Sequence, residues 1–306
     1  MTQHVKIGTR ESELAVWQAS LVKSLIQQKG IDSELVYIRS DGDVDTITPL
    51  YELGVQGIFT KSLDHALLAG KIDIAVHSLK DVPTQFAKGL IQAAVLKRGS
   101  FKDILVYKDK REFLDEKLEP ATIASSSVRR IAQWIRRYPN HQMVNLRGNI
   151  NTRLKKMKEN NWQGAIFAAA GLERINLRPD NSIDLDWMLP APAQGAIVVV
   201  CRENDEPTLE ACSHMNDPAT VRCTKAERDF LRMLLGGCST PISALAIEEA
   251  GNIVFKGNVC SRDGKESVTI EKVFDKYDPQ GGVQAANELL KDITAHKIIY
   301  DIRHEQ

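Results

Sequence analysis

Short apolar runs alternate with helix-spaced apolar positions along the first two thirds of the chain. Val5 to Gly8 reads as a strand. Ser12 then stands as an N-cap, and Leu14, Trp17, Leu21 and Leu25 recur at helical spacing until Gly30 offers a left-handed stop. A second strand is predicted at Glu34 to Ile38, followed by a polar loop from Arg39 to about Thr48 that turns at Asp41-Gly42-Asp43. A helix from Phe59 to Leu68 and a strand from Ile72 to Val76 complete a first unit, read as parallel α/β. After Gly99 the alternation restarts, with strands at Ile104 to Tyr107, Thr122 to Ala124, near Val144 and at Ala165 to Ala168, and helices from Val128 to Tyr138 and Thr152 to Lys158. This predicts a second α/β domain. Pro190-Ala191-Pro192 precedes the apolar run Ala196 to Cys201, which reads as the chain crossing back to the first domain. From Asp217 the pattern changes to a helix from Ala219 to Leu234, strands at Ile253 to Phe255 and Val268 to Ile270 joined near Asp263-Gly264, and a helix from Val283 to about Ile293. The expected division is therefore 1–97 with 195–214, then 98–194, then a small α+β domain at 215–306.

Composition narrows the function. Lys and Arg number 40 and Asp and Glu number 40, so the 306-residue chain has no net charge with which to attract nucleic acid or an anionic membrane. Any anion site must be local, and neither nucleic acid nor membrane is expected as a partner. Runs such as Gly195 to Cys201 fall well short of the ~20 apolar residues that span a bilayer. Met1 to Lys6 leads straight into strand-like sequence without the succession of a secretory signal, so a cytoplasmic location is expected. The five cysteines are widely spaced and never form Cys-x-x-Cys; they suggest buried small hydrophobes rather than disulfides, and no metal site is expected.

Four constellations could carry chemistry. Thr9-Arg10-Glu11-Ser12 places a guanidinium and a hydroxyl at a strand-to-helix turn, where backbone N–H groups favour an anion. A capping serine beside a surface arginine is the competing reading. The stretch Ser125 to Arg153 holds Arg129, Arg130, Arg136, Arg137, Arg147 and Arg153 and no Asp, Glu or Lys. Ser125-Ser126-Ser127 and Arg147-Gly148-Asn149 each open a helix there, and two such openings side by side would make a floor for several carboxylates. The alternative is a solvated basic face, to which Arg136 and Arg137 are assigned. His77-Ser78-Leu79-Lys80-Asp81-Val82-Pro83 follows an apolar strand, where open α/β sheets place ligands. Asp81 there can move protons near neutral pH if water is excluded; His77 is either a general base or a histidine satisfied at a strand end. Finally, Gly236-Gly237-Cys238-Ser239-Thr240-Pro241 puts a thiol on a bendable turn, suited to covalent chemistry, with a structural cysteine as the competing reading.

These motifs in this order resemble the porphobilinogen deaminase (hydroxymethylbilane synthase) family of tetrapyrrole-pathway transferases. The resemblance runs over the whole chain: Gly8-Thr9-Arg10-Glu11-Ser12 with Trp17-Gln18-Ala19, Val76 to Pro83, Ser126 to Arg130, and Asn145-Leu146-Arg147-Gly148-Asn149. It continues through Ala170-Gly171-Leu172-Glu173-Arg174, Leu189-Pro190-Ala191 with Gln194-Gly195-Ala196, Ala226-Glu227-Arg228, and Gly236-Gly237-Cys238. The resemblance implies two periplasmic-binding-protein-like α/β domains hinged around a cleft, plus a small α+β C-terminal domain. It implies joining of four porphobilinogen molecules head to tail, release of four ammonia molecules and hydrolysis to hydroxymethylbilane, by a monomer. A dipyrromethane cofactor, held by a thioether on Cys238, serves as a primer that is not turned over. Asp81 matches the catalytic carboxylate, which hydrogen-bonds pyrrole N–H groups, stabilises the cationic azafulvene and shuttles the proton lost on rearomatisation. Arg129, Arg130, Arg147 and Arg153, with Ser127 and Lys80, match cofactor binders; Arg10, Ser12, Arg147, Arg153, Arg174 and Gln194 match substrate binders.

Some positions depart from the family pattern. Glu52 and Gln56 stand where lysines are usual and Val55 replaces a glycine; Ala193 replaces a glycine, Val200 a glutamate, and Leu235 an acidic residue before Gly-Gly-Cys. They bear on the lid loop and on the cofactor arm, while Asp81 and Cys238 are retained. A two-lobed polycarboxylate-binding protein without catalysis is the alternative function, but it leaves Cys238 without a role. A Cys/His acyl-transfer enzyme is less supported, because nothing in the sequence brings a histidine to the cysteine loop.

Overall fold

The computed structural model describes residues 4–39, 60–115, 119–234, 236–237 and 240–304. The polar loop expected beyond Arg39, Phe59 at the start of the next helix, and positions 52, 55, 56, 235 and 238 lie outside the described residues. The described residues up to 99, together with 195–221, form one compact unit; those of 100–194 and 222–304 form another.

In the first unit, β1 (His4–Thr9), β2 (Asp32–Tyr37), β3 (Ile74–Ser78), β4 (Leu90–Val95) and β10 (Ile197–Arg202) make a sheet of order β2-β1-β3-β10-β4. The first three are mutually parallel, but β10 runs antiparallel between β3 and β4, so the sheet is mixed rather than parallel as the alternation suggested. The inserted strand is the apolar run expected to cross back to this domain, but its antiparallel place between β3 and β4 is set by partners about a hundred residues upstream and no local pattern announces it.

Helix α1 (Glu13–Gln27) begins on the expected cap: Ser12 accepts the Ala15 N–H at 3.4 Å. Its buried face is Gln18, Ala19, Val22 and Ile26, not the stripe through Leu14 and Trp17. Ala19, Val22 and Ile26 pack with Val5, Ile7, Ile74 and Val76, and the small side chain at 19 lets the helix lie close to the strands. Gly30 takes φ +73°, the left-handed stop expected. The opposite face of the sheet is covered by α2 (Lys61–Leu68), which buries Leu63 and Leu67. β3 continues to Ser78, two residues past its predicted end, because Ser78 and His77 pair with Ile197 and Val198.

The second unit repeats the plan. β5 (Asp103–Tyr107), β6 (Thr122–Ala124), β7 (Gln142–Val144), β8 (Gly164–Ala168) and β9 (Ser182–Asp184) are ordered β7-β6-β8-β5-β9; β7, β6 and β8 are parallel, and β5 is antiparallel to both its neighbours. Side chains alternate across it. Ile104, Val106, Ala165 and Phe167 pack on one face, and Leu105, Ile123 and Ile166 join Trp134 on the other. Helices α3 (Val128–Arg137), α4 (Ile150–Glu159) and α5 (Ala169–Arg174) follow β6, β7 and β8 in turn.

Helix α6 (Glu206–Ser213) and helix α7 (Pro218–Met233) precede a three-stranded antiparallel sheet of β11 (Ile242–Glu249), β12 (Asn252–Cys260) and β13 (Ser267–Asp275). Its core joins Phe230 of α7, Phe255 and helices α8 (Gly281–Leu289) and α9 (Ile293–His304). The helix expected from Val283 to Ile293 is α8 and stops at Leu289, and a further helix that was not expected, α9, follows it, with Asp292 Oδ1 accepting the N–H groups of Thr294 and Ala295 at its start. Two α/β domains and a small α+β C-terminal domain are thus the architecture observed. Among the described residues no helix is long and apolar enough to cross a membrane.

Candidate functional site

In the first unit, the parallel pairing of β1 with β3 brings their C-terminal ends side by side. Arg10 leaves β1 there, and a 3-10 turn, Leu79–Asp81, continues from β3 and carries Lys80 and Asp81. Arg10, Ser12, Lys80 and Asp81 are all half-buried. The turn is anchored rather than loose: Leu79 N–H donates to the Ala196 carbonyl at 3.0 Å, Val82 N–H to the Leu79 carbonyl at 3.2 Å, and Gln18 Nε2 to Ser78 Oγ at 2.9 Å. His77 is buried, and its Nε2 has no hydrogen-bond partner among the described residues. Burial, and then the charge of Arg10, pull its pKa down to about 4. The imidazole is therefore neutral near pH 7 and a weak base, which favours the strand-end reading over general-base catalysis.

In the second unit, the adjacent parallel strands β7, β6 and β8 present the loops that carry the arginines. Ser126 Oγ joins two of these loops, donating to the Leu146 carbonyl and accepting the Leu146 N–H at 3.0 Å. Ser127 caps α3 and Asn149 caps α4, so both helix openings expected from the sequence are present. Gly148 between Arg147 and the cap takes φ +113°, and a Cβ there would lie 2.8 Å from Thr152 Cβ. Arg147 is buried; Arg153 is half-buried and donates through Nε to the Gly148 carbonyl at 2.7 Å. Arg174 ends α5, and burial lowers its pKa to about 10, which leaves it charged at neutral pH.

Arg129 and Arg130, both expected to hold the cofactor, share one protein carboxylate. Both are buried against Asp103: Arg129 Nη1 lies 2.7 Å from Oδ2 and Arg130 Nη2 lies 2.7 Å from Oδ1. Arg130 also donates through Nε to Asp103 Oδ1 at 3.0 Å and through Nη1 to the Ile166 carbonyl at 3.0 Å, so its guanidinium is held by protein oxygens. Gln194, expected to bind substrate, is completely buried in the same cluster, donating to Asp103 Oδ1 at 2.9 Å and to the Phe101 carbonyl at 2.8 Å. Arg136 and Arg137 are exposed but not merely solvated: Arg136 Nη1 donates to the Lys265 carbonyl at 2.8 Å, and the Arg137 guanidinium lies 4.8 Å from the Trp187 ring centre.

Two acids escaped the sequence reading. Asp103, just before the expected strand at Ile104, was given no role, yet it is a counter-ion of Arg129 and Arg130. Glu227, although within a motif that carried the resemblance, had no role; it is fully buried, and its two oxygens accept the N–H groups of Ala193 at 2.6 Å and Ala246 at 2.8 Å. It thereby holds Ala193 at φ +62°, a conformation that explains why glycine suits this position. Val200 is buried within β10.

Cys201, Cys212, Cys223 and Cys260 are buried, as expected of small hydrophobes, and form no disulfide among the described residues. Burial raises the Cys201 thiol to about 11 and the Cys212 thiol to about 12, so neither is a nucleophile at neutral pH. Cys238 lies outside the described residues. The donor set suits a ligand bearing an acetate and a propionate on every ring: two buried guanidiniums share the single carboxylate of Asp103, so their cluster retains positive charge.

The family model of the porphobilinogen deaminase dipyromethane cofactor binding domain matches residues 5–210, and that of the porphobilinogen deaminase C-terminal domain matches residues 221–294. A porphobilinogen deaminase of Chlorobium phaeobacteroides is 39% identical over 312 residues, covering 99% of each chain. One of Trichlorobacter lovleyi is 40% identical over 270 residues, covering 87% of this chain and 86% of that one. Among solved structures, the methionine binding protein MetQ is similar at a TM-score of 0.45 and 14% identity, over 69% of this chain and 89% of that one. Two matched domain models and full-length relatives at this identity place the chain in the porphobilinogen deaminase family.

Proposed function

We propose that this chain joins four porphobilinogen molecules head to tail on a dipyrromethane primer, releases four ammonia molecules and, by hydrolysis, one linear hydroxymethylbilane. The observation that carries the reading, beside family membership, is the excess of guanidinium over carboxylate at the loops after β6 and β7. Two arginines on one aspartate, with Arg147 and Arg153 nearby in the chain, suit a product that gains two carboxylates with each ring.

The primer, when bound, supplies the pyrrole carbon to which the first substrate ring is joined. Cys238 is assigned to its attachment. The four described cysteines are buried, and two of them have thiols far too basic to react, which supports that assignment. Asp81 accepts hydrogen bonds from pyrrole N–H groups, offsets the positive charge left on the incoming ring when ammonia departs, and takes the α proton that the ring bonding to it must lose to regain aromaticity. Its place on a 3-10 turn anchored by Leu79 and Val82 fits a group that must stay put through four cycles. Arg10, Ser12, Arg174 and Lys80 are assigned to carboxylates of the substrate and growing chain, with Ser127 assisting at the α3 cap. A monomeric state and a cytoplasmic location belong to the same reading.

Incubation with porphobilinogen tests it. Ammonia release in step with substrate loss, one ammonia per substrate consumed, is the expected result. Binding of porphobilinogen without ammonia release would instead favour the two-lobed binding protein.

A further inference from the structure

Asp103, the first residue of β5, is fully buried, and its backbone is fixed on both sides: it pairs with Ala168 of β8, and its carbonyl accepts the Leu185 N–H at 2.9 Å. Three side chains converge on its carboxylate. Arg130 uses Nε and Nη2, Gln194 uses Nε2, and Arg129 approaches the other oxygen through Nη1 while also donating to the Leu189 carbonyl at 2.8 Å.

This is a poor arrangement for stability alone. A buried ion cluster is weak evidence of stabilisation, and an apolar replacement is often as stable or more so. Here two cations face one anion, and the surplus is buried. Both cations also sit in the first turn of α3, just after the Ser127 cap, where the positive end of the helix dipole opposes them. A ligand carboxylate at this helix opening would offset both penalties.

We infer that Asp103 is a positioning residue for the proposed reaction: it neutralises Arg130, fixes the guanidinium of Arg129, and leaves one positive charge for a carboxylate of the bound pyrrole chain. Gln194 completes the clamp without adding charge, tying Asp103 to the Phe101 carbonyl. The inference rests on the polycarboxylate reading above.

Asp103→Glu and Asp103→Asn test it, with wild type alongside. For Asp103→Glu, which keeps the charge but moves it, the expected result is a folded chain whose denatured mass shows pyrrole loading in a minor fraction of molecules. The loaded fraction should show KM raised about tenfold and kcat within about threefold, because a misplaced guanidinium weakens binding more than chemistry. Asp103→Asn should load still less. Full loading with KM within about twofold of wild type in either variant would overturn the inference. Should neither variant fold, the Nε–H resonances of Arg129 and Arg130 in the intact protein decide it. The Arg130 resonance should be unchanged between the cofactor-loaded chain and the cofactor-free Cys238→Ala chain, while that of Arg129 shifts; the reverse pattern would overturn it. Failure of the underlying reading looks different: wild type itself would then carry no pyrrole mass.

Discussion

Among the groups through which acidification should cost this protein stability, His77 can be isolated by a single substitution. Its ring is buried in β3 and its pKa falls from 6.5 to about 4, first by burial and then by the charge of Arg10. Between those values the unfolded chain binds a proton that the folded chain refuses. Stability tied to this ring is therefore fully present above pH 6.5 and is lost as the pH falls toward 4. At about 1.36 kcal/mol per unit, the gap amounts to on the order of 3 kcal/mol, of which about 2 kcal/mol is already lost at pH 5. His77→Gln keeps a polar side chain of similar reach without the titration. Urea unfolding at pH 7 and pH 5 measures the difference: the wild type should lose about 2 kcal/mol more than His77→Gln over that interval, whatever the other histidines contribute to both. Equal losses in the two proteins would show that the ring is accessible to protons in the folded state and would refute its placement.

Asp81→Asn should retain the pyrrole mass on the denatured chain while turnover falls by about a hundredfold or more, as expected for loss of a proton-carrying group; near-normal ammonia release would remove Asp81 from the chemistry. Ala193→Gly should stabilise the protein by about 1 kcal/mol, because φ +62° strains alanine but not glycine. Thermal unfolding should show a rise of about 2–4 °C, and a fall would mean that the methyl group contributes packing that outweighs the strain.

What the sequence made legible, and what it hid, follows from the range of the interactions concerned. The caps at Ser12, Ser127 and Asn149 depend on the next three residues, and all three were readable. The extension of β3 to Ser78 was not, because its partner Ile197 lies more than a hundred residues on. Helix α9 was missed and the helix before it was expected to run on to Ile293, since Asp292 reads equally well as an ordinary helical residue until its carboxylate is seen to cap the next helix. The arginines of the candidate site stood out as a run without acids. Their counter-ion Asp103 did not, because it lies 26 residues before Arg129 and 91 before Gln194, and an acid ahead of a strand is ordinarily exposed. Nor does the motif that holds Gln194 show that its amide is engaged by Asp103 and the Phe101 carbonyl, which only the fold brings to it.

The central claim is that the chain carries its own pyrrole primer on one thiol. A denaturing mass spectrum of the purified wild type and of Cys238→Ala tests it most directly. The wild type should exceed its sequence mass by two pyrrole units, and Cys238→Ala should show the bare sequence mass. A wild type with no added mass, or an addition that survives removal of Cys238, would contradict it.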